Sequence, residues 1–293
     1  MCCNSVDILT EAKNYKGNSL LDQSLAGYHA HAGILRSALQ IKQDLFALNI
    51  LSSFFDKPEH GNYTIRIVGH SLGAGASSLL TVLLLHDSAL KEYLGSTFQQ
   101  RILSCLYGQP LVMHPELAAK PVVMAAITSV AYKDDIICHL SPTTIITLHK
   151  QILSFYLSRE KDAKKWKIYS DFVRKKESPD MLAKTDGVDV RDTEKQIFEE
   201  LESKYTDPEN CAPAGRIFQM LPVCNKQAGT HRRKVSCLVS CLVCCPANIS
   251  SICTVYPASS LTFTKEIRVS RSMFLDHMPF HYDLAQLDGV IPS

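Results

Sequence analysis

The chain has 293 residues, of which 46% are apolar and 20% are charged, with a mean hydropathy of −0.01. This balance predicts a globular protein with a sizeable buried core and excludes a disordered or fibrous chain. The net charge is only +2, and the sequence has no stripe of lysine and arginine interleaved with aromatic residues. We therefore expect no nucleic-acid partner.

The cysteine content and the N-terminal residues indicate the cellular compartment. The eleven cysteines are an odd number, and Met1–Thr10 has no basic region followed by an apolar run. These features predict no signal peptide and a reducing compartment with mostly free thiols. The longest membrane-span candidate, Val235–Tyr256, contains Pro246 and Asn248 and is a marginal span.

Helix-like and strand-like segments alternate through the first half of the chain. Apolar residues in Tyr28–Phe55 recur at steps of three and four, which predicts a helix. The β-branched run Tyr63–Val68 predicts a buried strand, and Ala74–His86 is compatible with a helix. Arg101–Tyr107 predicts a second strand, and Val122–Tyr132 is a further apolar run. This alternation predicts an α/β fold, with a mostly parallel sheet and helices on both faces.

The composition changes near residue 159. Arg159–Lys204 contains 12 basic and 12 acidic residues and predicts a surface insertion. We therefore expect the first part of the core at 1–158, a charged and cysteine-rich insertion at 159–254, and a final part at 255–293. The last core strand is expected in Leu261–Val269, whose residues alternate like those of a strand.

The segment Gly69-His70-Ser71-Leu72-Gly73 has the Gly-x-Ser-x-Gly pattern of a nucleophile elbow. In such an elbow a serine lies on a strained turn between a strand and a helix, and here a strand is predicted before the motif and a helix after it. The glycines are expected because neighbouring backbone passes too close for a Cβ atom. We predict that Ser71 is a nucleophile in an α/β-hydrolase fold.

A serine hydroxyl needs a histidine to take its proton and an acid to orient that histidine. In this fold type the order along the chain is serine, acid, histidine. Asp135 follows an apolar run at the expected edge of the sheet, and Asp134 is its competitor. His277 is the candidate histidine, and His281 is the alternative.

An oxyanion hole is the third requirement of this chemistry. Its first donor is expected to be the backbone N–H of Leu72, at the start of the helix after the nucleophile. The second donor normally comes from a loop earlier in the chain, and the pattern of residues does not identify it.

These motifs resemble the class 3 lipases, and among them the sn-1-specific diacylglycerol lipases. The matching segments run in family order between Asp7 and Asp283. They are His31-Ala32-Gly33-Ile34-Leu35, Val68 to Gly75 around the elbow, Lys133 to Ser141 around the acid, Pro213-Ala214-Gly215-Arg216-Ile217, and Met273 to Pro279 around the histidine.

The resemblance implies that the chain hydrolyses the sn-1 acyl ester of diacylglycerol to a monoacylglycerol and a fatty acid. It assigns the acid to Asp135 and supports His277 as the histidine. It also implies association with a membrane surface, at the cytoplasmic face of the plasma membrane, where the lipid substrate lies. The sequence itself requires no cofactor and shows no metal site; Ca²⁺ enters only as a cofactor that the resemblance suggests.

The sequence departs from the family pattern in three places. Family members begin with four transmembrane helices, and we expect none in this chain. The Gly-Thr pair that completes the oxyanion hole aligns with Met1 and Cys2, so the second donor is either Cys2 or missing, and we expect an N-terminally truncated fold. Cys138 and His139 replace the Pro-Arg pair that follows the acid.

The insertion before His277 corresponds in position to the regulatory insert of the family, which predicts a lid or control loop. Three interpretations of its cysteine cluster (Cys237, Cys241, Cys244 and Cys245) remain open: palmitoylation, packing of small apolar side chains, and a metal site. The cluster lacks the paired Cys-x2-Cys spacing of zinc sites.

Two other functions remain open at this stage. The first is a weak or inactive truncated lipase-like protein that acts in lipid binding or regulation. The second is a phospholipase A1 or general acylester hydrolase that uses the same three residues on a different headgroup.

Overall fold

The computed structural model describes residues 5–15, 21–141, 144–145, 147–148, 211–222, 253–258, 267, 269–270, 272–279 and 282. The strands are β1 (Ser5–Asp7), β2 (His29–His31), β3 (Ile65–His70), β4 (Ile102–Tyr107), β5 (Ile127–Tyr132), β6 (Arg216–Pro222) and β7 (Cys253–Ala258). The α-helices are α1 (Ile8–Asn14), α2 (Ala32–Ala47), α3 (Ile50–Phe55), α4 (Leu72–Leu85), α5 (Ser88–Leu94), α6 (Pro115–Ala118) and α7 (Pro121–Ala126).

Five of the strands form one sheet in the order β3-β4-β5-β6-β7. Strands β3 to β6 are parallel, and β7 pairs antiparallel with β6. The short strands β1 and β2 form a separate antiparallel pair. His70 is in register with Tyr107, and Tyr107 with Val130, so the carboxyl ends of β3, β4 and β5 meet at one edge. The predicted mostly parallel sheet is therefore confirmed.

The predicted boundaries of the insertion need correction. β6 lies within 159–254, yet it pairs with β5 from Thr128↔Arg216 to Tyr132↔Met220 and is a strand of the main sheet. β7 begins at Cys253, so the end of the Val235–Tyr256 run is a strand paired with β6. The backbone groups of such a segment are satisfied by a neighbouring strand and not within a membrane helix. Most of the strand expected in Leu261–Val269 lies outside the described residues.

The predicted helix Tyr28–Phe55 is shorter in the structure and is divided in two. Its first residues form β2, and α2 begins only after His31, whose Nδ1 accepts a hydrogen bond from the N–H of Ile34 (3.4 Å). Asn49 has a φ of 52°, which ends the helical path before α3 begins. The apolar run Val122–Tyr132 is divided between α7 and β5. Pro121 occupies the first position of α7, where a proline favours a helical turn before β5 starts.

The core lies around α4, which packs against α2, β3 and β4. The side chains of Leu79, Leu83 and Leu85 are buried there. α2 contributes Leu35 and Leu39 from the same apolar stripe that the sequence pattern predicts. This packing holds the N-terminal end of α4 at the carboxyl edge of the sheet.

Candidate active site

Ser71 lies alone between the last residue of β3 and the first residue of α4. Its φ of 58° and ψ of −129° are a conformation that a non-glycine residue adopts only under strain. The N–H of Ser71 donates to the carbonyl of Tyr107 at the end of β4 (3.0 Å). The tight turn therefore holds the serine at the carboxyl edge of the parallel strands, as an elbow requires.

The two glycines of the elbow have different roles. A Cβ atom on Gly69 would lie 2.6 Å from the Gly73 carbonyl oxygen and 2.8 Å from Cα of Ala74, so β3 and α4 approach each other only because residue 69 has no side chain. A Cβ atom on Gly73 would meet nothing within 4 Å. The steric reason predicted for both glycines is correct for Gly69 and wrong for Gly73.

His277 joins Ser71 to Asp135 by hydrogen bonds. Its Nε2 lies 2.7 Å from Ser71 Oγ, and its Nδ1 lies 3.0 Å from each Asp135 carboxylate oxygen. A carboxylate only accepts, so Nδ1 carries the imidazole proton, and Nε2 is left with its lone pair facing the Ser71 hydroxyl. The structure thus brings together the three predicted side chains from positions 71, 135 and 277.

Asp135 follows the end of β5 and is 1% exposed. Besides His277, its carboxylate accepts from the Ile137 N–H (2.9 Å) and from the hydroxyl of Tyr282 (2.6 Å). Asp134 is only partly buried, and no hydrogen bond of its side chain is found in the described part of the chain. The geometry therefore selects Asp135 over Asp134 as the partner of His277.

The segment that carries His277 is anchored at the histidine itself and at the residue before it. The backbone carbonyl oxygen of His277 accepts a hydrogen bond from His70 Nε2 (2.9 Å), and the imidazole rings of the two histidines stack with centroids 4.7 Å apart. The buried carboxylate of Asp276 accepts from Ser272 Oγ (2.7 Å) and faces the ammonium of Lys133 (3.6 Å). These contacts connect the segment to the elbow and to the end of β5. The alternative histidine, His281, lies outside the described residues.

Gly108 is a part of the site that the sequence analysis missed. It follows β4 with a φ of +58°, and a Cβ atom there would lie 2.8 Å from Asp135 Oδ2 and 3.0 Å from His277 Nδ1. Glycine is therefore required both for the backbone conformation and for the close approach of the two side chains. Its position directly after a parallel strand, next to the elbow strand, was the available sequence signal.

Two neutral side chains surround the Asp135 carboxylate. Burial, followed by the nearby charge of Asp135, raises the pKa of the Cys138 thiol well above its ordinary value. Burial is also the largest cause that raises the pKa of the Tyr282 phenol well above 10, with Cys138 and Asp135 adding to it. Both groups keep their protons at neutral pH, so neither competes with Ser71 as an anion.

The first expected oxyanion donor has a suitable position. The Leu72 N–H belongs to the first turn of α4, and no acceptor for it is found among the described residues. The second expected donor, Cys2, lies outside the described residues. The Leu72 side chain is 64% exposed, and Phe274, Leu275 and Met278 are exposed beside His277. Apolar side chains therefore flank both Ser71 and His277 along the sequence.

The structure bears on the candidate metal site, membrane span and cysteine cluster only where their residues are described. In the described ranges, no group of three or more histidine, cysteine, aspartate or glutamate side chains could hold a metal ion. The same residues include no helix with the length and apolar character needed to cross a bilayer. The cysteine cluster Cys237–Cys245 lies outside the described residues, whereas Cys105 and Cys138 have free thiols.

The strand order, the elbow and the Ser71–His277–Asp135 arrangement define an α/β-hydrolase fold with a serine site at the carboxyl edge of its sheet. Residues 3–145 match the family model described as lipase (class 3). The predicted fold class is confirmed. The matched residues include the elbow and Asp135 but end before His277.

Solved lipase structures show partial similarity to the chain. A triacylglycerol lipase with a serine protease triad as its catalytic centre is 24% identical, over 46% of this chain and 49% of that one, with a TM-score of 0.34. The triacylglyceride lipase of Rhizomucor miehei is 26% identical, over 45% and 48%, with a TM-score of 0.33. The mono- and diacylglycerol lipase of Aspergillus oryzae is 25% identical, over 42% and 38%, with a TM-score of 0.28.

The chain spans about half the length of the first two of these lipases. Among curated proteins, no match to the chain is found.

Proposed function

We propose that this chain is a serine lipase that hydrolyses the sn-1 acyl ester of diacylglycerol to a monoacylglycerol and a fatty acid. The observation that carries the proposal is the 2.7 Å contact between Ser71 Oγ and the unprotonated Nε2 of His277, whose Nδ1 is held by Asp135. Such a contact lets the imidazole remove the serine proton as the oxygen attacks an ester carbonyl. The match of residues 3–145 to the class 3 lipase model supports the same chemistry.

The reaction proceeds in two displacements at the ester carbonyl. Ser71 Oγ forms a bond to the carbonyl carbon while its proton moves to His277 Nε2. The bond from that carbon to the glycerol oxygen then breaks, and Nε2 returns the proton to the leaving alcohol, which departs as the monoacylglycerol. His277 next deprotonates a water that attacks the acyl-serine, and the fatty acid leaves as Ser71 recovers its proton.

The Asp135 carboxylate and the N-terminal end of α4 stabilise the charges that develop in these steps. Asp135 faces the imidazolium that forms on His277, at 3.0 Å from Nδ1. The Leu72 N–H is assigned to the developing oxyanion, a role in which one donor contributes about 10²- to 10³-fold to the rate. These protein groups and the attacking water account for all proton transfers of the proposed reaction.

A lipid substrate is supported by the exposed apolar side chains near the reacting groups. Leu72 directly follows the nucleophile, and Phe274, Leu275 and Met278 lie within three residues of His277. Such side chains offer an acyl chain an apolar surface. The preference for the sn-1 ester and for a membrane surface at the cytoplasmic face is part of the proposal, and it rests on the resemblance of the site segments to diacylglycerol lipases.

The proposal is tested by labelling the chain with a fluorophosphonate probe in lipid vesicles, beside its Ser71→Ala variant. We expect the label on the parent chain and none on the variant, because only an activated serine reacts with this probe. His277→Ala should also lose the label, whereas the matched variant His281→Ala should keep it. A folded parent chain that takes no label would overturn the proposal.

The substrate class is tested with diacylglycerol labelled separately in its sn-1 and sn-2 chains. We expect release of the sn-1 fatty acid in a reaction that Ser71→Ala abolishes. Faster Ser71-dependent hydrolysis of phosphatidylcholine would instead assign the chain to phospholipase A1 activity. Equal release of both acyl chains would contradict the positional preference.

A further prediction uses the two glycines of the elbow as a matched pair. Gly69→Ala should lower ester hydrolysis about 10²-fold, because its Cβ would force β3 and α4 apart and displace the nucleophile by a fraction of an ångström. Gly73→Ala should retain activity, since its Cβ would meet no atom within 4 Å. The rates are compared at equal folded fractions, measured by circular dichroism. Similar losses in the two variants would contradict the steric account.

A further inference from the structure

Tyr282 makes a contact with the site that the reaction described above does not use. Its hydroxyl lies 2.6 Å from Asp135 Oδ2 and 3.2 Å from the backbone nitrogen of Tyr132. The Tyr132 N–H can only donate, so the Tyr282 oxygen accepts this hydrogen bond. The single proton of the Tyr282 hydroxyl is therefore directed to the Asp135 carboxylate. The hydroxyl thus connects the end of β5 to Asp135.

The ring of Tyr282 is held by three aromatic neighbours. The rings of His70 and Tyr107 meet it edge-on, with centroids at 5.7 Å and 5.5 Å, and the Tyr132 ring does so at 6.3 Å. His70 and Tyr107 end the adjacent strands β3 and β4. Edge-to-face packing of this kind limits where the hydroxyl can lie. The phenol also keeps its proton, because burial raises its pKa well above 10.

We infer that Tyr282 is a positioning residue, which holds Asp135 in the orientation that aligns His277 with Ser71. This inference rests on the proposed function. The two carboxylate oxygens are restrained by different donors: Oδ1 by the Ile137 N–H at 2.9 Å, and Oδ2 by Tyr282. The Cys138 thiol also interacts with this carboxylate. Without the Tyr282 hydroxyl, Oδ2 loses the donor that connects it to the end of β5, and the carboxylate gains freedom to rotate about its remaining contacts.

The position of Tyr282 distinguishes this role from substrate binding. Among the described residues, the hydrogen bonds of its hydroxyl go to Asp135 and Tyr132, and none joins it to Ser71. Loss of the hydroxyl should therefore weaken the chemical step and leave substrate binding unchanged. A hydrogen bond to a charged group has a strength that corresponds to about 10- to 100-fold in rate.

The experiment is Tyr282→Phe, which keeps the ring and removes only the hydroxyl. We expect kcat for diacylglycerol hydrolysis to fall about 10- to 100-fold with KM unchanged. Tyr63→Phe is the matched control, because Tyr63 is 54% exposed and makes its ring contacts with Phe54 and His60, away from the site. An unchanged kcat in Tyr282→Phe, or a loss that appears only in KM, would overturn the inference.

A double-variant cycle tests whether Tyr282 acts through Asp135. In an Asp135→Asn background, Tyr282→Phe should cause no further loss of kcat, because the carboxylate that the Tyr282 hydroxyl orients is no longer present. Multiplicative losses would show an independent role and would overturn the inference.

A measurement without turnover separates this inference from the proposed function. The far-downfield proton resonance of His277 Nδ1–H, identified by its absence in His277→Ala, should shift in Tyr282→Phe and stay in place in Tyr63→Phe. A chain with this response but no ester hydrolysis would refute the lipase proposal alone. A resonance that does not move would refute the positioning role, whatever the activity.

Discussion

Asp135→Asn should lower the rate of ester hydrolysis about 10⁴-fold, the loss expected when the acid of a Ser-His-Asp arrangement becomes an amide. The carboxylate accepts from His277 Nδ1, the Ile137 N–H and the Tyr282 hydroxyl. An amide has one oxygen and one donating NH₂ group, so it cannot accept all of these bonds. His277 then loses the tautomer that leaves Nε2 unprotonated, and the imidazolium loses its counter-charge.

The measurement is kcat on diacylglycerol vesicles, with Asp134→Asn as the matched control at the neighbouring position. Asp134 is partly exposed and has no described hydrogen bond to His277, so its variant should hydrolyse at nearly the parent rate. Equal losses at the two positions would contradict the assignment of the acid. Thermal unfolding of both variants distinguishes a loss of catalysis from a loss of folding. We expect Asp135→Asn to be folded and to have little activity.

The second large effect concerns stability and lies away from the site. Asp87→Asn should reduce the free energy of unfolding by about 3 to 5 kcal/mol, because it leaves the Lys42 ammonium buried without a counter-charge. Lys42 Nζ lies 2.6 Å from Asp87 Oδ2, and the two side chains are 2% and 1% exposed. The substitution keeps an oxygen that can accept from Ala89 and Leu90 at the start of α5, so the helix cap is largely preserved.

The unfolding free energy is measured by urea denaturation, with Arg36→Met as the control on the same helix. Arg36 pairs with Glu11 at 2.6 Å, but its side chain is 58% exposed, so this loss should stay below about 1 kcal/mol. The double variant Lys42→Met/Asp87→Asn should recover much of the stability, because no unpaired charge is left in the core. Similar losses in Asp87→Asn and Arg36→Met would contradict the burial argument.

The identity of the site residues could be predicted from local chemistry. The Gly-x-Ser-x-Gly pattern between a strand and a helix locates Ser71, because the turn depends on residues close in sequence. The chain order of the acid and the histidine narrows the partners to Asp134 or Asp135 and to His277 or His281. The resemblance to class 3 lipases favoured Asp135 and His277. The distances add the physical reason for the acid, since both aspartates follow the same strand and only Asp135 lies within hydrogen-bond distance of His277.

Other features could not be predicted because they depend on residues far apart in sequence. A lysine is expected to face solvent, but Lys42 lies on the same buried face of α2 as Leu35 and Leu39, and its counter-charge is Asp87 at the start of α5. β6 lies within the segment assigned to the insertion, and its membership of the sheet is decided by pairing with residues of β5 that lie 88 positions earlier (Thr128↔Arg216). Gly108 and Tyr282 carry no motif, and their proximity to Asp135 arises from the same long-range packing.

The sequence by itself determined the alternation of strands and helices, the elbow and the short set of candidate partners for Ser71, because hydrophobic periodicity and turn chemistry act over a few residues. Only the tertiary structure decided how closely Asp135 approaches His277, what holds the Asp135 carboxylate, and which charges are buried. Those outcomes depend on atoms brought within 3 Å of one another by strand pairing across the sheet, and no local pattern encodes that distance.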